Sequence, residues 1–437
     1  MRCISCHEPE RALEKRKNLA RWLMTVRRMA NKSESAIPAS EVTPIAQYLA
    51  FRNRSANVDQ DIDTTNQMDL SAAQSFNIFG TVSTVLRNGV GDDVVENQGF
   101  FPEVWAGVEW NSHRVITARV TACISCHTEG QQGSRIELAE GLLRYNVTHA
   151  LDADPENGEF VVDVGRVLVP FGGFSSQSHP GAFRTVTRPL MYNMGQNVNR
   201  SDIGPTVLPM PYADEGVIAH LAFPIGNELR ATVDAYVVNG LQGGLSGITD
   251  FYASRDYVDN NREPAFGARV TFGMPGLKLG GSLMSGKHNA IADGASGPFD
   301  KNLNYNLYGF DLTMRIKDVF RVQVEYASRS TDRFVFAPSI RRVDEELWGI
   351  YIEGGLRIHE SPRIELVVRY DTLDRNSDGP PSGSSLKNPG FNIRRITTGV
   401  NFLLPGGSLL LFNYEHWSLP EDLGEEDVLG LRYVVSF

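Results

Sequence analysis

The chain has 437 residues, a formal net charge of -10 at pH 7 and a mean hydropathy of -0.23. It contains no run of about 18 apolar residues, so the sequence predicts no transmembrane helix. Residues 1–55 carry 11 Lys and Arg against 5 Asp and Glu, whereas the remainder carries 31 against 47. Because the basic charge sits on one short segment, the composition gives no support to nucleic-acid binding and indicates two units, a basic head and an acidic body.

One pentapeptide, C-I-S-C-H, occurs twice, at residues 3–7 and 123–127. The pattern C-x-x-C-H is the attachment site of c-type haem, in which both thiols bond to the haem and the histidine ligates its iron. A zinc site would need two more ligands near each cysteine pair, and no such spacing is present. We therefore expect two haem c groups, with the iron ligands His7 and His127. The attachment residues, which are all the cysteines of the chain, are Cys3, Cys6, Cys123 and Cys126.

The head is predicted to be helical. Apolar residues recur at three- and four-residue steps between residues 10 and 30, and a second helix is expected to begin at Thr43 and Pro44. With the first haem motif, these stretches resemble a small class I cytochrome c over about 50 residues. In that family the methionine of W-x-x-x-V-x-x-M is the distal iron ligand, which points to Met29. Met24 is the alternative ligand, and a plain core role for Met29 is the other interpretation.

The start of the chain is predicted to be truncated. Attachment of c-type haem needs a leader, and no apolar leader segment is present. In addition, Cys3 leaves no room for the helix that usually precedes the motif in small cytochromes. We divide the chain into a cytochrome c-like haem domain (1–55), a linker (56–74) and a β-barrel (75–437).

The body alternates with a period of two, which is typical of β-strands with one apolar face. Segments of about ten residues suit tilted strands crossing a bilayer, and alternating short and long connections are typical of outer-membrane barrels. The predicted fold is mainly β, a 16-stranded outer-membrane β-barrel with a small N-terminal α-helical cytochrome c domain. The predicted segments are 75–86, 100–111, 114–123, 135–146, 158–169, 214–225, 228–239, 265–274, 277–286, 305–316, 318–329, 345–358, 362–374, 391–404, 407–417 and 426–437.

Counting strands places the second haem motif at the end of the third strand, away from the chain termini. The long loop 170–213 emerges at the same end and carries candidate distal ligands for its iron. We favour His179, with Met194 as the second choice, while a solvated loop histidine is the competing interpretation. His113 and His149 are expected in turns at the opposite end.

The body also resembles porins of the phosphate-selective type at residues 164–172 and 188–190, and its aromatic last residue, Phe437, resembles the C-terminal signal of outer-membrane barrels. The whole chain is similar to fused cytochrome–porin iron oxidases. This resemblance implies an outer-membrane dihaem protein that conducts electrons between a periplasmic cytochrome and an extracellular donor or acceptor such as iron, with the barrel in contact with outer-membrane lipid. It leaves open whether the protein is an iron oxidoreductase.

Two other functions remain open. The alternative is a solute or anion porin in which haem is structural or sensory. A redox enzyme such as a peroxidase is a third possibility, although no acid–base pair is evident and no residue is singled out as catalytic. The head is expected either in the periplasm or inside the acidic barrel, where its positive charge would be complementary.

Overall fold

The computed structural model describes Val26 and most of the chain from residue 74 onward. The chain divides into two compact units, Met1–Asn66 and Gln67–Phe437. The predicted cytochrome head therefore lies outside the described residues, apart from Val26. The described ranges of the second unit are 74–90, 99–112, 114–124, 136–177, 179–192, 206–210, 212–226, 228–244, 247–251, 254, 263–291, 298–317, 319–335, 341–360, 363–377, 390–404, 407–420 and 424–437.

Sixteen strands of the second unit form a closed antiparallel barrel, which confirms the predicted strand count. The barrel strands are β1 (Gln74–Val90), β2 (Gly99–Ser112), β3 (Ile116–Ile124), β4 (Ile136–Asn146), β5 (Glu159–Leu168), β6 (Ala213–Ile225), β7 (Leu229–Val238), β10 (Ala265–Met274), β11 (Leu277–Ile291), β12 (Pro298–Ile316), β13 (Phe320–Val335), β14 (Arg341–Glu360), β15 (Arg363–Ser377), β16 (Phe391–Leu404), β17 (Ser408–Ser418) and β18 (Glu425–Ser436).

The smaller elements lie in the connections. A two-stranded hairpin, β8 (Gln242–Gly243) and β9 (Thr249–Asp250), forms a sheet of its own and does not pair with the barrel strands. A short helix, α1 (Val147–Ala150), follows β4, and three 3-10 helices lie between β5 and β6, at Phe174–Ser176, Pro180–Ala182 and Leu190–Tyr192. Among the described residues, no helix is long and apolar enough to cross a membrane.

The barrel closes where β1 pairs with β18, from Thr81 opposite Ser436 to Val90 opposite Asp427. The beginning of β1 and the end of β18 lie at the same end of the barrel, which we call the near end. Short turns such as 275–276 also lie there. The longer connections, including 169–212 and 239–264, lie at the opposite or far end. Closure pairs the backbone groups that an open sheet would leave at its edges.

Two hairpins extend further than the sequence predicts. The β11–β12 pairing continues, past a register shift after His288, to Ile291 opposite Pro298, and the β13–β14 pairing continues to Val335 opposite Arg341. The connections there are therefore shorter than the predicted loops 287–304 and 330–344. The parts of these strands nearest the far end carry many polar residues. Apolar and polar residues no longer alternate there, although the backbone hydrogen bonds between the strands continue.

The two faces of each strand differ sharply in polarity, and β15 is a clear example. Val368 and Tyr370 point outward and are 54% and 40% exposed, whereas Arg369 and Asp371 point inward and are 0% and 1% exposed. The outside of the barrel is thus apolar and the inner wall is charged. This arrangement is the reverse of a soluble protein with an apolar core.

Candidate functional site in the barrel lumen

The described part of the connection from β5 to β6, residues 169–212, folds into the barrel, and we call this connection the inner loop. Its backbone reaches strands on several sides of the lumen. The amide N–H of Gly172 donates to Ser282 Oγ on β11 at 3.0 Å, and the amide N–H of Val186 donates to Asn413 Oδ1 on β17 at 2.5 Å. Since β11 and β17 are far apart around the barrel, the loop crosses the lumen rather than resting on one wall.

A buried carboxylate on β13 holds the first turn of the inner loop. Glu325 accepts the amide N–H groups of Gly173 at 3.1 Å and Phe174 at 2.9 Å. It also accepts the hydroxyls of Tyr351, at 3.0 Å, and of Tyr192. Four donors at one carboxylate compensate its burial and fix the loop relative to the wall.

Two arginines on neighbouring strands hold a second part of the loop. Arg369 on β15 donates from Nη1 to the carbonyl oxygen of Thr187 at 2.9 Å. Arg395 on β16 donates from Nη2 to the carbonyl oxygen of Arg188 at 2.5 Å. Both guanidinium groups also donate to Asp371 at 2.9 Å. The carboxylate neutralises part of the positive charge, and the arginines fix the loop backbone.

A third contact joins the loop to the closing strands. Arg188 and Arg432 both bind Glu103 on β2, at 3.3 and 3.0 Å. Their guanidinium carbons lie 5.5 and 5.3 Å from the centre of the Phe183 ring. Arg432 also donates to the carbonyl oxygen of Val186 at 2.9 Å. The loop is therefore attached to β2 and β18 as well as to β13, β15 and β16.

The inner loop brings its own apolar core into the lumen. Phe174 stacks on Phe183 and on Tyr192, with ring centroids 5.6 and 5.5 Å apart. The other buried apolar residues of the loop in this cluster are Val169, Phe171, Leu190, Met191, Val207, Leu208, Met210 and Tyr212. Any permeation path must pass beside this packed loop, since the described part of it occupies the middle of the barrel.

Cys123, the one cysteine in the described part of the chain, lies on the inner wall. It is completely buried and packs with Trp105 and Ala139. β3 ends one residue later, at the far end. Cys123 is disulfide-bonded. Its inward direction fits a haem held in the lumen, but a thioether to haem could form only after that disulfide is reduced.

His179 lies on the same stretch of wall as Cys123. Its Nδ1 is 3.4 Å from Thr81 Oγ1, which in turn is 3.0 Å from Ser436 Oγ. Thr81 is directly opposite Trp105, and Trp105 is directly opposite Cys123. Neighbouring strands are about 4.8 Å apart, so the backbones of Thr81 and Cys123 are separated by roughly 10 Å. His179 and Cys123, 56 positions apart in the sequence, thus lie near the same part of the inner wall.

His179 is mostly buried between the inner loop and the barrel wall. Burial lowers the pKa of His179 to about 4, although the negative charge of Glu103 acts in the opposite direction. The imidazole is therefore neutral at neutral pH, which is the form that ligates a metal ion.

The remaining predicted haem residues, Cys3, Cys6, His7, Met29, Cys126 and His127, lie outside the described residues, as do Met24 and Met194. Met191 is described and is buried in the inner loop. His149 lies in α1 at the near end, as the sequence predicts. No group of three or more His, Cys, Asp or Glu side chains within the described ranges is arranged to hold a metal ion.

Comparison with known proteins gives a fold but no family. No protein-family model matches the chain, and no curated protein matches it. Among solved structures, the barrel is similar to OmpT, an outer membrane protein of Vibrio cholerae, with a TM-score of 0.51, 10% identity, and coverage of 85% of this chain and 100% of that one. It is also similar to the outer membrane channel DcaP of Acinetobacter baumannii, with a TM-score of 0.51, 12% identity, and coverage of 85% and 99%.

The described residues form a porin-like barrel. At such low identity the likeness extends to the fold alone, so the chemistry of the lumen has to be argued from its own residues. The contacts of the strand arginines with the inner loop were not predicted from the sequence. A signal was present in the many apolar residues between Phe171 and Tyr192, because a solvated loop rarely carries so many.

Proposed function

We propose that this protein is an outer-membrane porin, a barrel through which small polar solutes cross beside the inner loop. One observation supports this most directly: a closed barrel with an apolar outer surface and a charged inner wall. In a closed barrel every backbone polar group of the sheet is hydrogen-bonded, so none is left unpaired in the hydrocarbon core of a membrane. The apolar outer surface can then contact lipid without burying polar groups. The charged wall favours polar solutes over lipophilic ones.

The test is ion conduction by the purified full-length chain in planar lipid bilayers. We expect stepwise, ohmic current increments as single barrels insert, with a small unit conductance because the inner loop narrows the path. Correct folding is checked separately by β-rich circular dichroism and by retained compactness in cold detergent. A folded and inserted barrel that passes no current would overturn the porin proposal.

A variant of the loop attachment tests whether the inner loop sets this conductance. Arg395→Gln removes the hydrogen bond to Arg188 and the ion pair with Asp371. Charge-assisted hydrogen bonds contribute about 1.5–3 kcal/mol each, so this part of the loop should loosen. We expect higher and noisier unit conductance.

The matched control is Arg394→Gln, one residue earlier, where the side chain is exposed on the opposite face and donates to Asn392. It removes the same charge without touching the inner loop. Equal conductance in the two variants would contradict the assignment of the loop as the constriction.

As a second candidate, we propose that the chain carries haem c at both motifs and conducts electrons between a periplasmic cytochrome and an extracellular donor or acceptor such as iron. The duplicated motif supports it, together with the inward Cys123 and the nearby His179. At the second motif, Cys123 and Cys126 would hold the haem, with His127 and His179 as iron ligands. Bound haem would supply one-electron redox chemistry.

Covalent haem is tested by pyridine haemochrome and intact mass on full-length protein expressed with a supplied leader. Two haems are expected, one lost in Cys6→Ala and the other in Cys126→Ala. One haem that is lost only in Cys6→Ala would leave a monohaem protein and demote residues 123–127 to a loop feature. Absence of covalent haem would eliminate the electron-transfer candidate and leave the porin proposal unaffected.

A further inference from the structure

Three buried arginines lie near the far end of the lumen, and two of them share one carboxylate. The Nε atoms of Arg333 on β13 and Arg375 on β15 lie 2.9 and 3.0 Å from Glu345 Oε2 on β14. Arg329, also on β13, faces inward four residues before Arg333 and is 0% exposed. The three guanidinium groups and Glu345 give a local excess of positive charge. This excess is not needed to hold the inner loop, whose described contacts involve other arginines.

Arg329 is unusual within this cluster because its guanidinium makes no hydrogen bond. None of its three nitrogen atoms has a partner, although each is buried. Within the described ranges it lies against the Phe251 ring, whose centroid is 5.2 Å from the guanidinium carbon. A buried charge without hydrogen bonds is costly in free energy. Five N–H donors in a fixed fork are thus available to an acceptor that the protein itself does not supply.

A buried histidine and a further unused hydroxyl lie at this end of the lumen. His288 on β11 is buried, and its ring stacks on that of Tyr305 with the ring centroids 5.8 Å apart. The hydroxyl of Thr331, two residues beyond Arg329, is buried without a partner. The β8–β9 hairpin presses on this wall, because a Cβ on Gly243 would lie 2.6 Å from His288 Cδ2. The hairpin therefore packs against the polar wall of β11 at this end of the lumen.

We propose that Arg329 binds the carboxylate of a small organic solute at the far end of the lumen. Guanidinium groups bind carboxylates through two parallel hydrogen bonds, and the excess positive charge is complementary to an anion. Leu307 and Leu347 lie directly opposite Arg329 on the neighbouring strands, and Phe251 lies over it. These apolar neighbours favour a carboxylate that carries an apolar group over inorganic phosphate, because removing the hydration shell of phosphate costs more free energy. The site rests on the porin proposal and gives it a substrate class.

Access to the site runs past Phe251. Because the ring lies over the guanidinium, the solute reaches Arg329 when this side chain, which follows the β8–β9 hairpin, turns aside. The solute then takes the place of the ring and retains an apolar contact with it. Binding thus exchanges a weak cation–π contact for charge-assisted hydrogen bonds.

Binding is measured directly by isothermal titration of the full-length, detergent-folded chain with sodium benzoate, and in parallel with sodium phosphate. We expect saturable binding of one benzoate per chain and weaker binding of phosphate. Arg329→Gln should weaken benzoate binding by roughly tenfold or more, which is the loss that a charge-assisted hydrogen bond represents. Arg342→Gln is the matched control, since Arg342 is exposed on the outer face at the same end and pairs with Asp332.

Thermal unfolding separates a binding role from a structural one. An unpaired buried charge destabilises the ligand-free protein. If Arg329 is such a charge, the variant Arg329→Gln should unfold at a higher temperature than the wild type in anion-poor buffer. Benzoate should then stabilise the wild type but not the variant. A variant that is less stable than the wild type, or that binds benzoate equally well, would overturn the site. Tighter binding of phosphate than of benzoate by the wild type would overturn the carboxylate assignment. Because titration needs no conduction, these results are independent of the bilayer measurement.

Discussion

Gly172 shows how closely the inner loop approaches the barrel wall. It adopts a φ of +73°, which non-glycine residues rarely take, and it lies against the Glu325 carboxylate. A Cβ at this position would fall 1.9 Å from Glu325 Oε1 and 2.4 Å from the hydroxyl of Tyr192. The turn can therefore reach the buried carboxylate because residue 172 has no side chain. One glycine and one glutamate determine where the loop enters the lumen.

His179 gives a pH-dependent prediction at the same scale. Burial lowers its pKa to about 4 in the folded chain, against 6.5 in an unfolded one, and Glu103 only partly opposes this. Between these two values the unfolded chain binds more protons than the folded chain. The contribution of His179 to the free energy of unfolding is therefore fully present above pH 6.5 and is lost as the pH falls toward 4.

The measurement is an NMR titration of the haem-free chain with labelled histidine, using His179→Gln to assign the signal. We expect a titration midpoint near pH 4 for His179. A midpoint near 6.5 for His179 would show that its ring faces water and would remove it from the inner wall.

At the scale of elements, local pattern and long-range contact account for different parts of the structure. Alternation along β15 predicts its inward and outward faces, because the side-chain period of a strand is a local property. The path of the inner loop is not local. Arg432 bonds to Val186, 246 positions away, and Asn413 bonds to the same residue from 227 positions away. No periodicity in residues 169–212 encodes partners at that distance.

The same distinction explains which site residues could be predicted. His179 was selected because it lies in the long loop at the far end, and the structure places it two strands from Cys123 on the inner wall. Arg329 could not be selected, since it occupies an inward position on β13 just as Arg321 and Arg333 do. What distinguishes it is the lack of any hydrogen-bond partner, and this depends on the packing of β12, β14 and the segment after β9.

At the scale of the whole molecule, barrel closure does not involve the first unit. The β1–β18 pairs begin at Thr81 and Ser436, and the β1–β2 pairs begin at Gln74 and Ser112. All sixteen strands therefore find their partners within Gln67–Phe437, the second compact unit. The sequence prediction that the basic head lies either in the periplasm or inside the acidic barrel stays a prediction, and it can be tested by removing the head.

We expect a chain that lacks residues 1–66 to fold into the same barrel, because every strand pairing is retained. Its folding is measured by circular dichroism and by compactness in cold detergent, beside the full-length chain. If the head enters the lumen, the shortened barrel should conduct more than the full-length chain in planar bilayers, since the path then holds only the inner loop. Equal conductance would place the head outside the lumen. A shortened chain that cannot fold would contradict the independence of the barrel.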